Sequence, residues 1–323
     1  MGKAHSPRHG SLQVWPRVRA RHTHAKIRSY QTSSKPQPLC FAGYKAGMTR
    51  ILAIENRAGA TTKGMQVVLP VTIIECPPLK VVGITAYKKM GYGSQKVATT
   101  LAEKFDKHLS RTLVLPKSHK PSNFTPEMAD SFRLLVHTQP ALTGLAKKRP
   151  ETFEIPLGGK KEEQLQYAKD KLGKDLIPQD VFGEGDQVDC HAITKGKGFQ
   201  GATRRNRTTL RQHKAEKGQR GPANVGSWTG NRSWTVAHPG QMGYHQRSEY
   251  NKWLVKMGQD PKDINPSGGL VRFGVVKNPY MLIKGSVGGP KKRLIKFTQA
   301  IRPNTILQSK APQITFINKG PQQ

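Results

Sequence analysis

The sequence predicts a mainly β protein with an α/β insertion: one small antiparallel β-barrel bearing long basic extensions. Three observations predict it. Apolar runs of strand length flank a central piece, with Phe41–Ile54, Met65–Cys76 and Leu79–Lys88 before it, and Trp253–Lys256, Leu270–Val276, Tyr280–Ser286 and Leu294–Ile301 after it. Gly (32) and Pro (23) are frequent in 323 residues, which favours strands and turns over long helices. The charge is also partitioned. The chain has 54 Lys+Arg against 20 Asp+Glu, a formal net charge of +34, yet residues 101–189 hold 14 of the acids and 14 basic residues and contribute none of the surplus.

Taken in order, residues 1–38 read as an extended basic arm. Pro7, Pro16, Pro36 and Pro38 prevent a continuous helix, and the apolar area is too small to offset ordering entropy, so the arm is expected to order on binding. Residues 39–94 read as the first part of the barrel, with Pro77-Pro78 ending its second strand. Residues 95–184 read as the neutral α/β insertion facing solvent. Val97, Leu101, Phe105 and Leu109 recur every four residues and predict a helix. Short strands follow at Phe132–His137 and Phe153–Leu157, then a second helix over Lys160–Leu172 with Gly173 as its stop. Residues 185–194 alternate Val188, Cys190 and Ala192 with Asp189 and His191, a barrel strand. Residues 195–250 form a basic Gly/Trp loop, and residues 251–323 complete the barrel with a basic closing segment.

The surplus implies a polyanionic partner, because so many like charges repel one another in a compact monomer. Residues 1–54 and 264–323 contain no Asp or Glu. No apolar run approaches the ~18 residues of a membrane span, and no apolar stretch follows the first basic residues as a secretory signal requires. Cys40, Cys76 and Cys190 are odd in number and far apart, which supports neither a disulfide framework nor a zinc ribbon.

The chemistry concentrates between Lys195 and Arg247, where 11 basic residues accompany a single acid, Glu216. Phe199, Trp228, Trp234 and Tyr244 are threaded among them. Cations neutralise phosphates and flat rings stack on bases, so this composition points to RNA. Lys195-Gly196-Lys197-Gly198-Phe199-Gln200-Gly201 contains G-x-G-x-x-G, but a dinucleotide site needs that motif to open an apolar helix, and Ala202–Thr209 has no apolar stripe. Glycines there instead let backbone approach RNA closely. His213, His238 and His245 match no zinc spacing. Carboxylates for acid–base work are almost absent from the loops that look functional, so no catalytic residue is expected.

Several motifs in order resemble the universal large-subunit ribosomal protein L-three family in its archaeal/eukaryotic form. They are Ser6-Pro7-Arg8-His9-Gly10-Ser11-Leu12, Phe41-Ala42-Gly43-Tyr44-Lys45-Ala46-Gly47-Met48-Thr49, the Lys195–Gly201 run, Gly226-Ser227-Trp228, and Gly240-Gln241-Met242-Gly243-Tyr244-His245-Gln246-Arg247. The resemblance implies a translation-factor-like barrel with RNA-penetrating extensions. It also implies a tryptophan finger that reaches toward the peptidyl-transferase centre with Trp228 at its tip, and Gln241 buried against RNA.

The residues expected to contact rRNA are Arg8, Arg17, Arg19 and Arg21 in the arm. In the loop they are Lys195, Lys197, Phe199, Gln200, Arg204, Arg205, Arg207, Arg211, His213, Lys214, Arg220, Trp228, Arg232, Trp234, Gln241, Tyr244, His245 and Arg247. The expected function is that of a structural constituent of the cytoplasmic large subunit, with rRNA and neighbouring large-subunit proteins as partners and neither a membrane nor a small-molecule substrate. No metal or cofactor of its own is implied, and any Mg2+ would be a structural ion of the rRNA. A free-standing RNA-binding regulator is the alternative that composition leaves open.

Overall fold

The computed structural model describes residues 14–57, 59–118, 124–215, 218–222, 236–305 and 310–320. The chain divides into two compact units. One comprises His24–Ala192 with Ser248–Gln323, and the other Met1–Thr23 with Ile193–Arg247.

The larger unit is built on β1 (Cys40–Ile54), β2 (Gln66–Glu75), β3 (Leu79–Met90), β4 (Gly93–Leu101), β5 (Ser131–His137), β6 (Thr152–Pro156), α1 (Lys161–Lys171), β7 (Asp175–Leu176) and β8 (Gln187–Ile193). After the second unit it continues through β11 (Gln246–Gly258), β12 (Tyr280–Lys284), β13 (Leu294–Gln299) and β14 (Ile314–Ile317). The second unit contributes β9 (Phe199–Gln200), α2 (Ala202–Asn206) and β10 (Gly240–Gln241).

Seven strands form one sheet in the order β13-β8-β11-β12-β2-β1-β14, and an additional β13–β1 pairing brings that order round into a ring. The expected small barrel is therefore corrected. A simple barrel gives each strand two neighbours, whereas β1 has three. Cys40–Tyr44 pairs with β13, Ile51–Ala53 with β14, and Tyr44–Ile54 with β2 across a bulge between Lys45 and Gly47. Moreover β3, which reads as the third barrel strand, leaves this sheet. It pairs with β4, β5 and β7 in a separate five-stranded sheet of order β4-β3-β5-β6. The architecture is mixed α/β: a ring-like, branched sheet and a second antiparallel sheet with a helix.

The helix expected on Val97, Leu101, Phe105 and Leu109 is also absent. Gly93–Leu101 is strand β4, hairpinned to β3 with Met90 opposite Gly93, and Leu109–Arg111 is a single 3₁₀ turn. A spacing of four is even, so it keeps residues on one face of a strand as well as of a helix. The second helix is present as α1. Leu165 and Ala168 are buried, the Gln164 side chain accepts the Phe132 N–H of β5 at 3.1 Å, and Gly173 follows in the left-handed conformation at φ 75°. Leu270–Val276 is a turn with one Leu270–Gly274 bridge, because Gly269, Arg272 and Gly274 all take positive φ.

Buried residues of both sheets merge into one core in which Phe41, Tyr44, Phe132, Tyr280 and Phe297 are the largest fully enclosed side chains. Two of its polar groups have clear partners. The Tyr44 hydroxyl reaches Thr138 Oγ1 at 3.1 Å and Glu151 Oε2 at 3.2 Å. Lys296 is buried with its ammonium 3.9 Å from the Phe153 ring centroid, and burial lowers its pKa to about 8.

Gly43 lies where β1 meets β2. A Cβ there would sit 2.5 Å from Ile74 Cγ2 and 2.9 Å from the Glu75 carbonyl oxygen. We expect Gly43→Ala to destabilise the protein by about 1–3 kcal/mol through overpacking. A melting temperature equal to that of the unaltered protein would contradict this packing.

Candidate nucleic-acid interface

The smaller unit starts from the glycine-rich run. Residues 194–200 and 240–245 lie antiparallel, with Gly240 opposite Gln200 and Gln241 opposite Phe199. The pairing extends through Lys197 N–H to the Met242 carbonyl, Met242 N–H to that of Gly198, and Thr194 N–H to that of His245, each at 2.9 Å. Close approach requires Gly243. It has φ 72°, and a Cβ would fall 2.0 Å from the Lys195 carbonyl oxygen.

Gly201 opens α2, which is five residues long and buries only Ala202. The G-x-G-x-x-G run thus opens no apolar helix. The helix ends at Arg207 in the left-handed conformation and places Arg204 and Arg205 in its last turn, where cations complement the helix dipole. Arg205 donates from Nε to the Gln241 carbonyl and from Nη1 to that of His238, both at 3.1 Å. Asn206 Nδ2 donates to the same His238 carbonyl at 3.1 Å. Further out, Thr203 donates to the Arg220 carbonyl at 2.8 Å, Arg211 Nη2 to that of Pro222 at 3.0 Å, and Gln219 Nε2 to that of His213 at 2.9 Å.

The arm is laid against this loop through its main chain. Arg247 donates to the carbonyls of Val14 and Pro16, His245 Nδ1 to that of Val18 at 2.8 Å, and Ala20 N–H donates to the Tyr244 carbonyl at 2.8 Å. The period is two, as in an extended chain. Even-numbered residues present backbone to the loop, while Trp15, Arg17, Arg19 and Arg21 occupy the odd positions. The Arg17 guanidinium donates to Asn206 Oδ1 and lies 5.1 Å from the Trp15 ring centroid, and Arg19 lies 5.8 Å from that of Tyr244.

His245 is buried at the centre of this arrangement. Its Nε2 accepts the Gly243 N–H at 3.1 Å while Nδ1 donates to Val18, so both bonds require the neutral Nδ1–H tautomer. Burial lowers its pKa, the hydrogen bond to Val18 raises it, and the charges of Arg247, Arg205 and Arg17 lower it further.

Of the residues expected to face rRNA, Arg19, Arg21, Lys195, Lys197, Phe199, Arg204, Arg207, Arg211, His213, Lys214 and Arg220 are exposed. Phe199 shows 76% of its surface. Arg17, Gln200, Arg205, Gln241, Tyr244 and Arg247 are half-buried, and all but Gln200 gather with His245 where the arm meets the loop. Arg8, Trp228, Arg232 and Trp234 lie outside the described residues. Sequence reasoning missed Thr194, whose Oγ1 accepts the His245 N–H at 3.1 Å, and Asn206, which links Arg17 to His238. It also missed the carbonyls of Val14, Pro16 and Val18, since backbone acceptors leave no side-chain signature. Among the described residues there is no group of three or more His, Cys, Asp or Glu able to hold a metal. Nor, among them, does this unit contain a single Asp or Glu.

A cationic unit with exposed rings and no carboxylate among its described residues, joined to a sheet-built body, is that of a protein made to bind a polyanion. The family model described as "Ribosomal protein L3" matches residues 1–130 and 122–320, and the chain belongs to that family. Its relatives include the large ribosomal subunit protein uL3 of Methanosphaera stadtmanae, 42% identical with 100% of this chain and 99% of the relative covered. The uL3 proteins of Archaeoglobus fulgidus (44% identical, 93% of each chain) and Methanocaldococcus jannaschii (42%, 98% of this chain and 97% of the relative) are similar to it over comparable lengths.

Two expectations follow. Gly243→Ala should loosen the arm, because the clash and the positive φ both oppose the substitution. Hydrogen exchange at the Ala20 and His245 amides should accelerate by at least tenfold, and unchanged protection would contradict the packing. Second, the His245 ring should titrate below its ordinary value of 6.5. The unfolded chain then takes up the proton first, so the junction is stable above about pH 6.5 and weakens as pH falls below it. An NMR titration of the His245 ring nitrogens with a midpoint above 6.5 would contradict this.

Proposed function

We propose that the chain acts as a structural constituent of the large ribosomal subunit that binds rRNA and stabilises its fold. The observation that carries this reading is the family match, which runs from residue 1 to residue 320. The chemistry of the smaller unit supports it: exposed cations for phosphates, glycine-lined backbone for close approach, and exposed rings such as Phe199 for stacking. Proteins of this family are structural, and the chain is not an enzyme. Its partners are rRNA and neighbouring large-subunit proteins, and its place of action is the cytoplasmic ribosome. The site consists of the arm and loop residues named above, Arg8, Trp228, Arg232 and Trp234 included. By the family resemblance, the loop that carries Trp228 is the part directed toward the peptidyl-transferase centre.

Sucrose-gradient fractionation of the native cell extract tests this directly. The protein should co-sediment one-to-one with large subunits through a high-salt wash. Recovery in the light fractions would instead indicate a free regulator. In isolation, affinity for large-subunit rRNA should fall by roughly a thousandfold or more between about 50 and 200 mM salt, as expected when six or more phosphates are neutralised. A salt-insensitive affinity, or one no better than for random duplex, would overturn the reading.

A further inference from the structure

We propose that Arg17, Arg205 and Arg247 form one binding site for a single RNA phosphate, and that this phosphate locks the arm onto the glycine-rich loop. The proposal rests on the rRNA-binding reading above and names the group that the junction takes.

The three guanidiniums come from three separate segments. Arg17 is on the arm, Arg205 on α2, and Arg247 where the loop returns as β11. Their hydrogen bonds bring them together. Arg17 donates to Asn206, Asn206 and Arg205 donate to the same His238 carbonyl, and Arg247 donates to the carbonyl of Pro16, the residue before Arg17. All three are half-buried, unlike Arg204 and Arg207 beside them, which are exposed. Arg17 acts on the other two as a like charge. Burial, and then the Arg17 charge, lowers the pKa of both Arg205 and Arg247.

Three partly desolvated cations near enough for Arg17 to act on the other two as a like charge are unfavourable unless an anion offsets them. Among the described residues of this unit there is no Asp or Glu, and an RNA phosphate is an anion that can offset these charges. A guanidinium has five N–H donors, and the carbonyl and amide contacts use only some of those on each arginine. Donors therefore remain on each arginine for a phosphate, the anion that arginine forks match in geometry.

A shared anion predicts coupling. Binding of the full-length chain to large-subunit rRNA should weaken about five- to tenfold for each of Arg17→Gln, Arg205→Gln and Arg247→Gln. The double variant Arg17→Gln/Arg205→Gln should lose clearly less than the product of the two single losses, and the triple variant should reduce the salt slope by about one. Arg204→Gln combined with Arg205→Gln should lose the full product, since Arg204 is an independent cation. Losses that multiply for every pair, or single variants that bind as tightly as the unaltered protein, would overturn the shared site while leaving rRNA binding intact. Failure of the unaltered protein to bind rRNA would instead strike the functional reading.

Inorganic phosphate probes the site without RNA. At matched ionic strength, replacing chloride by phosphate should raise the melting temperature of the unaltered protein more than that of the triple variant, and equal shifts would overturn the proposal. Circular dichroism showing the same secondary structure in all variants separates lost binding from lost folding.

Discussion

The fold depends on the pairing of one strand. β1 is 15 residues long and holds β2, β13 and β14 at once, so segments from opposite ends of the sequence are fixed by a single element. This arrangement also sets where the chain can leave the sheet. β8 and β11 are neighbours in the strand order, and the whole 194–245 excursion departs from one and returns into the other. Its base is closed by the paired backbones of Thr194 and His245. The sheet thereby bears much of the closure entropy of a long, apolar-poor loop, which could not fix its own ends.

Much of this was legible in residue patterns, and the misreadings have physical causes. The strands at Phe41, Val71 and Leu294 are strongly apolar and β-branched, and α1 has both a stripe and a glycine stop. The partition of the strands into two sheets was not legible. β3 reads as well for one sheet as for the other, because both of its faces are buried over Val81–Ala86, and strand composition carries no information about partners. The stretch from Val97 to Leu109 was ambiguous for a simpler reason, since even spacings fit both periods. For the site, charge and aromatic interleaving located the loop and the arm. They could not show which cations share a neighbourhood, because that depends on carbonyl contacts from the arm.

The charge distribution divides the labour between the two units. Every acidic side chain among the described residues belongs to the larger unit, where pairs such as Lys171–Asp180 and Lys256–Asp263 form. The described residues of the smaller unit have no such internal compensation. Its order off its partner rests on hydrogen bonds to main-chain carbonyls and on a neutral histidine, both of which hold geometry without cancelling charge. Such a unit keeps the electrostatic attraction of its exposed cations for the ligand, and each hydrogen bond already made at the junction leaves less to order at the moment of binding.

The two-residue alternation of the arm has a consequence for how this segment can change. Its contacts to the loop use the backbone of Val14, Pro16, Val18 and Ala20, so those side chains are only loosely specified, and the cationic and aromatic side chains fall between them. The constrained property is phase. Adding or deleting one residue between Val14 and Ala20 would exchange the two sets and take Arg17 away from Asn206 and Arg19 away from Tyr244. Deleting two would shorten the reach and preserve the alternation. Such a segment can tolerate wide drift in identity yet almost none in the parity of its length.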